Sequence, residues 1–418
     1  MSSASVRRLP GRTLVLAAAM AALSANTFAT EPPSAEEMWR IIQAQQKQIE
    51  ELKGQLSKTD QKVEATGEAL EQVSTASASS GQGSTSASWA ERTQIGGYGE
   101  MHYNNLEGSG GASDKDEIDF HRFVLYLGHQ FNDNIRFFSE FEIEHGGVES
   151  DGSTLDGEVE IEQAYVEFDI NDQHRAKAGV FLLPIGIINE THEPNTFYGV
   201  ERNQVESKII PATWWAGGAA VGGEIGSGFS YDLALHEGLN TDSAASYKPR
   251  DGRQKTSEAT AKDFAYTARL KWTGMPGVEV GGSFQYQTDM TQSNDPTAGS
   301  ANLYELHTVL SKGPLGLRAL YAMWDLEGSG PASIGADEQL GWYIEPSYKL
   351  NEKWGVFARY SLWDNRAGDS TDSEEKQVDV GMNFWPHPDV VIKADYQTQD
   401  NDSGREQDGF NLGVGYQF

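Results

Sequence analysis

The 418-residue chain contains no cysteine, and basic residues are scarce, 32 Lys and Arg against 62 Asp and Glu. It also has no uninterrupted apolar run of the ~20 residues that a membrane-spanning helix requires. The missing cysteine rules out a disulfide framework and thiolate chemistry, and fits a compartment where free thiols are a liability. The formal net charge of −30 speaks against nucleic acid as a partner, which would need concentrated positive charge. Catalytic signatures are missing as well: no P-loop, no HExxH, no GxSxG and no GxGxxG opening a helix. Histidines such as His102, His121, His236 and His307 are scattered without ligand spacing, so no metal, cofactor or enzymatic activity is expected. An outer-membrane hydrolase would need a Ser/His pair on adjacent outer faces, and none stands out.

Glycine is plentiful at 45 residues, and aromatics make up 10% of the chain. At the N-terminus, Arg7, Arg8 and Arg12 precede the apolar run LVLAAAMAAL at 14–23, and the small residues Thr27 and Ala29 follow. A charged start, a short apolar core and a small-residue cleavage site read as a secretory signal over 1–29. Its removal takes away three arginines and no acid. Residues 34–73 then repeat every seven positions, with Ile42, Ile49, Leu56, Val63 and Leu70 on one seam. Met38, Gln45, Leu52, Thr59, Thr66 and Val73 occupy the second seam, which predicts a coiled coil. Residues 74–92 form a Ser/Ala/Gly linker without periodicity.

From residue 93 to the end, short segments alternate apolar with small or polar side chains. Phe410, Leu412, Val414, Tyr416 and Phe418 fall on one face of a strand, and Asn411, Gly413, Gly415 and Gln417 on the other. Val378, Val380, Met382 and Phe384 oppose Asp379, Gly381 and Asn383 in the same way. Sixteen such segments are read, beginning at 93–103, 117–131, 134–145, 158–170 and 173–183. They continue near 213–226, 229–237, 263–273, 277–288 and 301–312, and finish near 314–326, 339–349, 352–364, 374–385, 389–398 and 408–418. Very short connectors alternate with long ones expected near 104–116, 146–157, 184–212, 238–262, 289–300, 327–338, 365–373 and 399–407. This predicts an all-β, antiparallel transmembrane barrel over 93–418, with short periplasmic turns, long external loops and both termini in the periplasm. Trp272, Trp324, Trp342, Trp354, Trp363, Trp385, Tyr416 and Phe418 are expected in the interfacial girdles. Localisation follows: the outer membrane of a Gram-negative bacterium, with the coiled coil in the periplasm.

The third long connector is too apolar for a freely solvated loop, with Ile185, Ile187, Ile188, Phe197, Val200, Ile209 and Ile210. Together with the strand before it, it carries the pattern RxKxGxFxxPxG and a following FxxxER stretch. Its residues are Arg175, Lys177, Gly179, Phe181, Pro184, Gly186, Glu190, Phe197, Glu201 and Arg202. In this the sequence resembles the phosphate-selective porin O and P family. The resemblance implies a trimeric, sixteen-stranded outer-membrane channel whose third loop folds inward to narrow the pore. The recognisable motif covers about thirty residues.

Strand parity sends Arg122, Arg136, Arg175, Lys177, Arg269, Lys271, Arg318, Lys349, Arg359 and Lys393 into the lumen. It sends Glu140, Glu142, Asp232, Glu279, Glu305, Glu345, Asp379 and Asp395 there too. Arginine rows can replace the hydration shell of an oxyanion, but mixed charges are the usual lining of a water-filled barrel. The expected function is therefore passive diffusion of small hydrophilic solutes or ions, with an oxyanion-selective channel as the alternative. In the third loop, His192, Glu193, Glu201 and Arg202 are expected at a constriction; Glu201 and Arg202 could instead form a structural ion pair. Glu142, Glu144, Glu149, Asp151, Asp156, Glu158, Glu160 and Glu162 form an acidic stretch around one external hairpin, best read as solvated. Asp400, Asp402 and Asp408 lack the bidentate glutamate of a calcium loop. Expected partners are outer-membrane lipid and lipopolysaccharide, two further copies in a homotrimer, and the cell wall if the coiled coil acts as a tether.

Overall fold

The computed structural model describes residues 89–148, 157–371 and 373–418. The expected signal peptide at 1–29, the coiled coil at 34–73 and most of the linker at 74–92 lie outside these residues. So do Glu149, Asp151 and Asp156. The described chain forms sixteen strands: β1 (Thr93–Ser109), β2 (Lys115–Asn132), β3 (Ile135–Glu144), β4 (Val159–Asp169), β5 (His174–Leu182), β6 (Trp215–Gly226), β7 (Phe229–His236) and β8 (Ala265–Met275). They continue as β9 (Val278–Gln287), β10 (Ala301–Lys312), β11 (Leu315–Leu326), β12 (Glu338–Lys349), β13 (Trp354–Asp364), β14 (Glu375–His387), β15 (Val390–Asn401) and β16 (Glu406–Gln417). Every strand pairs antiparallel with its sequence neighbours, and β1 pairs with β16 to close the barrel. At the closure, Phe418 N–H donates to Gly97 O at 2.9 Å, and Gly97 N–H donates back to Phe418 O at 3.0 Å.

The period-2 pattern explains the faces. On β14, Val380 is 54% exposed on the outer surface while its neighbour Asp379 is 2% exposed inside. Leu412 and Phe410 likewise face out on β16, and Asn411 faces in. Polar residues inside and apolar residues outside is the arrangement a barrel adopts when lipid is its solvent.

The expected long connectors at 104–116 and 399–407 are not loops. β1 and β2 pair as far as Leu106 with Lys115, and β1 and β16 as far as Ser109 with Glu406, leaving turns at 110–114 and 402–405. A 17-residue strand runs ~56 Å and, tilted ~40°, rises ~43 Å, well past the ~25 Å apolar band of such barrels. Beyond that band polar side chains sit on both faces, so the apolar pattern fades although the strand continues.

Three of the eight expected girdle aromatics also lie elsewhere. Trp324 and Trp363 are buried in the barrel interior, and Trp385 packs at 5.7 Å against Tyr198 of the third loop. Their parity is inward, where loop segments supply an apolar cover. That interior core joins Leu303, Leu320, Trp324, Tyr343 and Trp363 of the wall to Ile185, Val205, Ile209, Ile210 and Leu239 of the loops.

Two bulges place extra residues inside. Glu100 pairs with Arg122 but His102 pairs with Asp119, so β2 gains one residue and both His121 and Arg122 turn to the His102 side. Glu140 pairs with Gln163 but Phe141 pairs with Ile161, making Glu162 the extra residue of β4. Bulges of this kind redirect side chains at a site. Because Val380 faces lipid near mid-strand, Val380→Arg should lower folding stability in lipid vesicles by about 2–4 kcal/mol. Urea titration of the variant against the wild type measures the loss.

Candidate functional site

The third loop, residues 183–214, joins β5 to β6 and runs inside the barrel, bonded to inward side chains from both sides of the wall. Its ends are pinched together by Asn189, whose Nδ2 donates to Leu183 O at 2.8 Å and Trp214 O at 2.9 Å. The Asn189 Oδ1 accepts from Trp214 N–H at 2.6 Å. A short helix, α1 (Gln204–Lys208), is capped by Asn203, which accepts from Glu206 N–H at 2.8 Å. Capping side chains of this type satisfy amides that the first helical turn leaves open.

Glu206 is fully buried and fixes the loop to itself and to the wall. Its carboxylate accepts from the amides of Ile187 and Ile188 at 2.8 and 2.7 Å, from Tyr343 Oη at 2.8 Å and from Asn203 Nδ2 at 3.1 Å. Burial still outweighs these bonds and holds its carboxyl above the usual range.

The middle of the loop crosses to the far wall. Arg318 donates to Thr196 O at 2.6 Å, Asn383 to Phe197 O at 3.1 Å, and Arg359 to Tyr198 O at 3.4 Å and Glu201 O at 3.3 Å. Asp395 accepts from Val200 N–H at 2.6 Å, and Lys393 Nζ stands 3.5 Å from the centre of the Phe197 ring. Glycine permits this approach. A Cβ on Gly415 would fall 2.4 Å from Pro194 Cβ, and one on Gly355 would fall 2.3 Å from Tyr198 Oη.

The four expected third-loop residues go to different partners. His192 is buried beside Glu140 and Glu162. Glu193 meets Tyr126 Oη at 3.5 Å. Glu201 bonds His102 Nδ1 and Asn104 Nδ2, both at 3.2 Å. Arg202 donates to Thr213 Oγ1 at 2.9 Å and His192 O at 3.5 Å, so the alternative Glu201–Arg202 ion pair does not form. Shielding from water pushes the Glu201 carboxyl up, but the His102 imidazole outweighs it and holds the group well below the usual carboxylate range.

The expected lumenal bases divide into three sets. Arg318, Arg359 and Lys393 hold the loop, and Arg359 also pairs with Asp379 at 3.0 Å and Glu345 at 3.3 Å. Arg122 is buried between Glu100 at 2.8 Å and Glu142 at 3.1 Å. The third set lines the wall toward the short-turn end. Here Arg136 pairs with Asp169 and Glu167, Arg269 with Asp232 and Glu190, and Lys271 with Glu279 at 3.7 Å. Arg175 is the most exposed of them, 3.8 Å from Glu167, and Lys177 lies over the rings of Phe181 and Tyr165. Lys349 lies over Trp385.

Sequence spacing missed what the bulges assemble. His102 and His121 stack at 4.5 Å, and His121 and His145 both bond Asp119 at 2.9 Å. Four groups could each hold a cation, their ligand atoms within 4.8 Å of one another: His102–His121–Glu201, Asp119–His121–His145, Glu140–Glu162–His192 and Glu144–Glu158–Glu160. In the last of these Lys255 already bonds Glu158 and Glu160. Arg253 lies near these carboxylates, with Arg250 and Arg202 near it. Burial, together with the nearby Arg253 and Arg202, pulls the Arg250 guanidinium down to about 10.

Two outcomes follow for the loop. Glu206→Ala would orphan buried donors at ~1–3 kcal/mol each, so hydrogen exchange at the Ile187 and Ile188 amides should rise at least tenfold while the strands keep their protection. The depressed Glu201 group stabilises the loop above the ordinary glutamate value of ~4.3 and loses that effect as pH falls through its lower folded value. Open-channel noise in planar bilayers should therefore stay flat from pH 7 to ~4 and rise below it. Glu201→Gln should lack that acid transition.

Residues 73–404 match the sequence profile described as Gram-negative porin. An uncharacterized protein of Aquifex aeolicus (strain VF5) is 28% identical over 362 residues, spanning 78% of this chain and 79% of its own. Among solved structures, the outer-membrane channel DcaP of Acinetobacter baumannii is similar at 14% identity and a TM-score of 0.56, over 78% of this chain and 97% of that one. An anion-selective porin from Comamonas acidovorans gives 10% and 0.55 over 78% and 99%. The trimer form of OmpT from Vibrio cholerae gives 11% and 0.51 over 78% and 99%. At such identities these structures establish the shared fold alone. The closed sixteen-stranded barrel and the match over most of its length agree: the chain belongs to the Gram-negative porin family, and its barrel is an outer-membrane porin channel.

Proposed function

We propose that the channel passes small hydrophilic solutes and ions by passive diffusion, through a lumen narrowed by the third loop. The observation that carries this reading is the crossing of residues 190–202, tied to β3, β4 and β8 at one end and to β11, β13, β14 and β15 further along. His192, Glu193, Glu201 and Arg202 belong to that crossing, with Glu193, Glu201 and Arg202 partly exposed toward the water path. Oxyanion specificity is disfavoured because most of the lumenal bases already hold carboxylates or loop carbonyls. A phosphate would have to displace those partners. The arrangement suits a general porin with weak cation preference.

The gathering of Arg202, Arg250 and Arg253 favours an oxyanion channel as the second reading. These guanidiniums, however, donate to the carbonyls of Ser207, Ala212 and Thr213 and to Thr213 Oγ1, as loop staples would. A homotrimer in lipopolysaccharide-containing membrane is the assembly we infer, supported by the trimer form of one structural relative. The heptads at 34–73 would span ~60 Å as helix and suit a periplasmic tether to the cell wall. Envelope attachment lost on their deletion, with conductance intact, supports that additional role.

Purified protein in planar bilayers tests the main reading. Stepwise conductance should appear, with a reversal potential showing modest cation preference and no block by millimolar phosphate. Replacing residues 190–201 with a short Gly/Ser segment should raise single-channel conductance severalfold. Unchanged conductance would remove the loop from the constriction, and saturable phosphate block would favour the oxyanion channel.

A further inference from the structure

We infer that Glu140, Glu162 and His192 form a binding site for one divalent transition-metal cation, which clamps the third loop to the β3–β4 wall. All three side chains are at least nine-tenths buried, and their ligand atoms converge within 4.8 Å. They come from three places: the inner face of β3, the extra residue of the β4 bulge, and the loop itself.

The histidine is oriented as a metal ligand. Its Nδ1 lies 3.1 Å from Asn189 O, and a carbonyl can only accept, so Nδ1 carries a proton. Metal-binding histidines usually donate their second ring nitrogen to a carbonyl or carboxylate in this way, which fixes the tautomer. Nε2 then aims at Glu140 Oε1, 3.5 Å away, and Glu162 Oε2, 3.4 Å away, with no hydrogen-bond partner. An imidazolium bonded to a carboxylate would approach to ~2.7–2.9 Å. Two ligands on a tetrahedral ion with ~2.1 Å bonds stand ~3.4 Å apart. The observed spacing matches a cation between the atoms better than a proton.

The surrounding charge leads to the same place. Glu142, the next inward residue of β3, is fully buried and meets the carboxyl of Glu162. Arg122 is the guanidinium paired with Glu142, and it is shared with Glu100. Three buried carboxylates thus gather around His192; Arg122 is shared with Glu100, Arg202 and Arg253 are engaged by Thr213, and a doubly charged ion adds to the compensation of the acids. Imidazole with carboxylates suits zinc or manganese, whereas calcium favours an all-oxygen shell.

The test uses mature protein refolded without lipopolysaccharide, whose phosphates would themselves bind cations, and stripped with chelator. Titration with Zn2+ and Mn2+, read by calorimetry and by metal analysis after dialysis, should give one tight equivalent per chain. That equivalent should persist in His121→Ala, which disables the neighbouring histidine groups. It should weaken at least tenfold in His192→Gln and in Glu162→Gln, with barrel folding checked by heat-modifiable migration. X-ray absorption of the zinc-loaded wild-type protein, which requires no variant, should show one imidazole among oxygen ligands. Absence of a tight equivalent, its survival in His192→Gln and Glu162→Gln, or a zinc shell of two or more imidazoles would overturn the site. Binding is read apart from conductance, so failure here leaves the channel reading standing, and the reverse.

Discussion

Everything in this molecule follows from closure of the sheet. Lipid offers no hydrogen bonds to backbone N–H and C=O groups, so a strand-built membrane protein must pair every edge. Here the last edges are removed by β16 lying against β1, down to the mutual bonds of Gly97 and Phe418. Once the sheet is closed, each strand has a lipid face and an inner face, and the inner face collects the chain's polar residues. Buried polar groups are costly unless partnered. The interior is therefore a problem of partnership, and the third loop is a large part of its solution.

The inner wall is not uniform, and the loop follows its variation. Around β10 to β13 the wall presents Leu303, Leu320, Trp324, Tyr343 and Trp363; around β1 to β4 it presents Glu100, Arg122, Glu140, Glu142 and Glu162. The loop is apolar at its two ends, 185–188 and 205–210, and polar between. Its ends bury against the apolar wall, where Asn189 and Glu206 tie the backbone. Its middle leaves that core and follows polar wall residues, from Glu140 and Glu162 at His192 to Arg318, Asn383, Asp395 and Arg359 at 196–201. One stretch of sequence encodes both the anchor and the crossing.

This division explains what could be read from sequence. Side chains alternating about a lipid boundary, as in Val378, Val380 and Met382, reveal strands directly, and all sixteen were legible. The apolar content of residues 185–210 marked the loop as packed. Where the boundary with lipid ends, the signal ends: Asn104 and Leu106 belong to a strand that rises into water. Trp324 and Trp363 followed the parity of an inner face that the loop had made apolar, which no rule for girdle aromatics anticipates. Parity arithmetic also assumes an unbroken register. A single inserted residue in β2 turns His121 inward beside Arg122, and another in β4 supplies Glu162. The histidine and carboxylate groups were illegible because they depend on inserted residues and on contacts distant in sequence, such as His102 with Glu201 and Glu140 with His192.

Total charge says little about what such a channel selects, because the lumenal bases differ in what remains available. Arg318, Arg359 and Lys393 are occupied by loop backbone and the Phe197 ring, and Arg122 by Glu100 and Glu142. Groups nearer the short-turn end, such as Arg175 and the Lys271–Glu279 pair, stay partly exposed to the lumen. The same contacts that consume the buried bases position the loop. Loop position and lumenal charge are thereby coupled: on the proposed reading, neutralising Arg359 or binding a cation beside His192 would shift both together. On the proposed diffusion reading, selectivity would be set by which charges the loop leaves free.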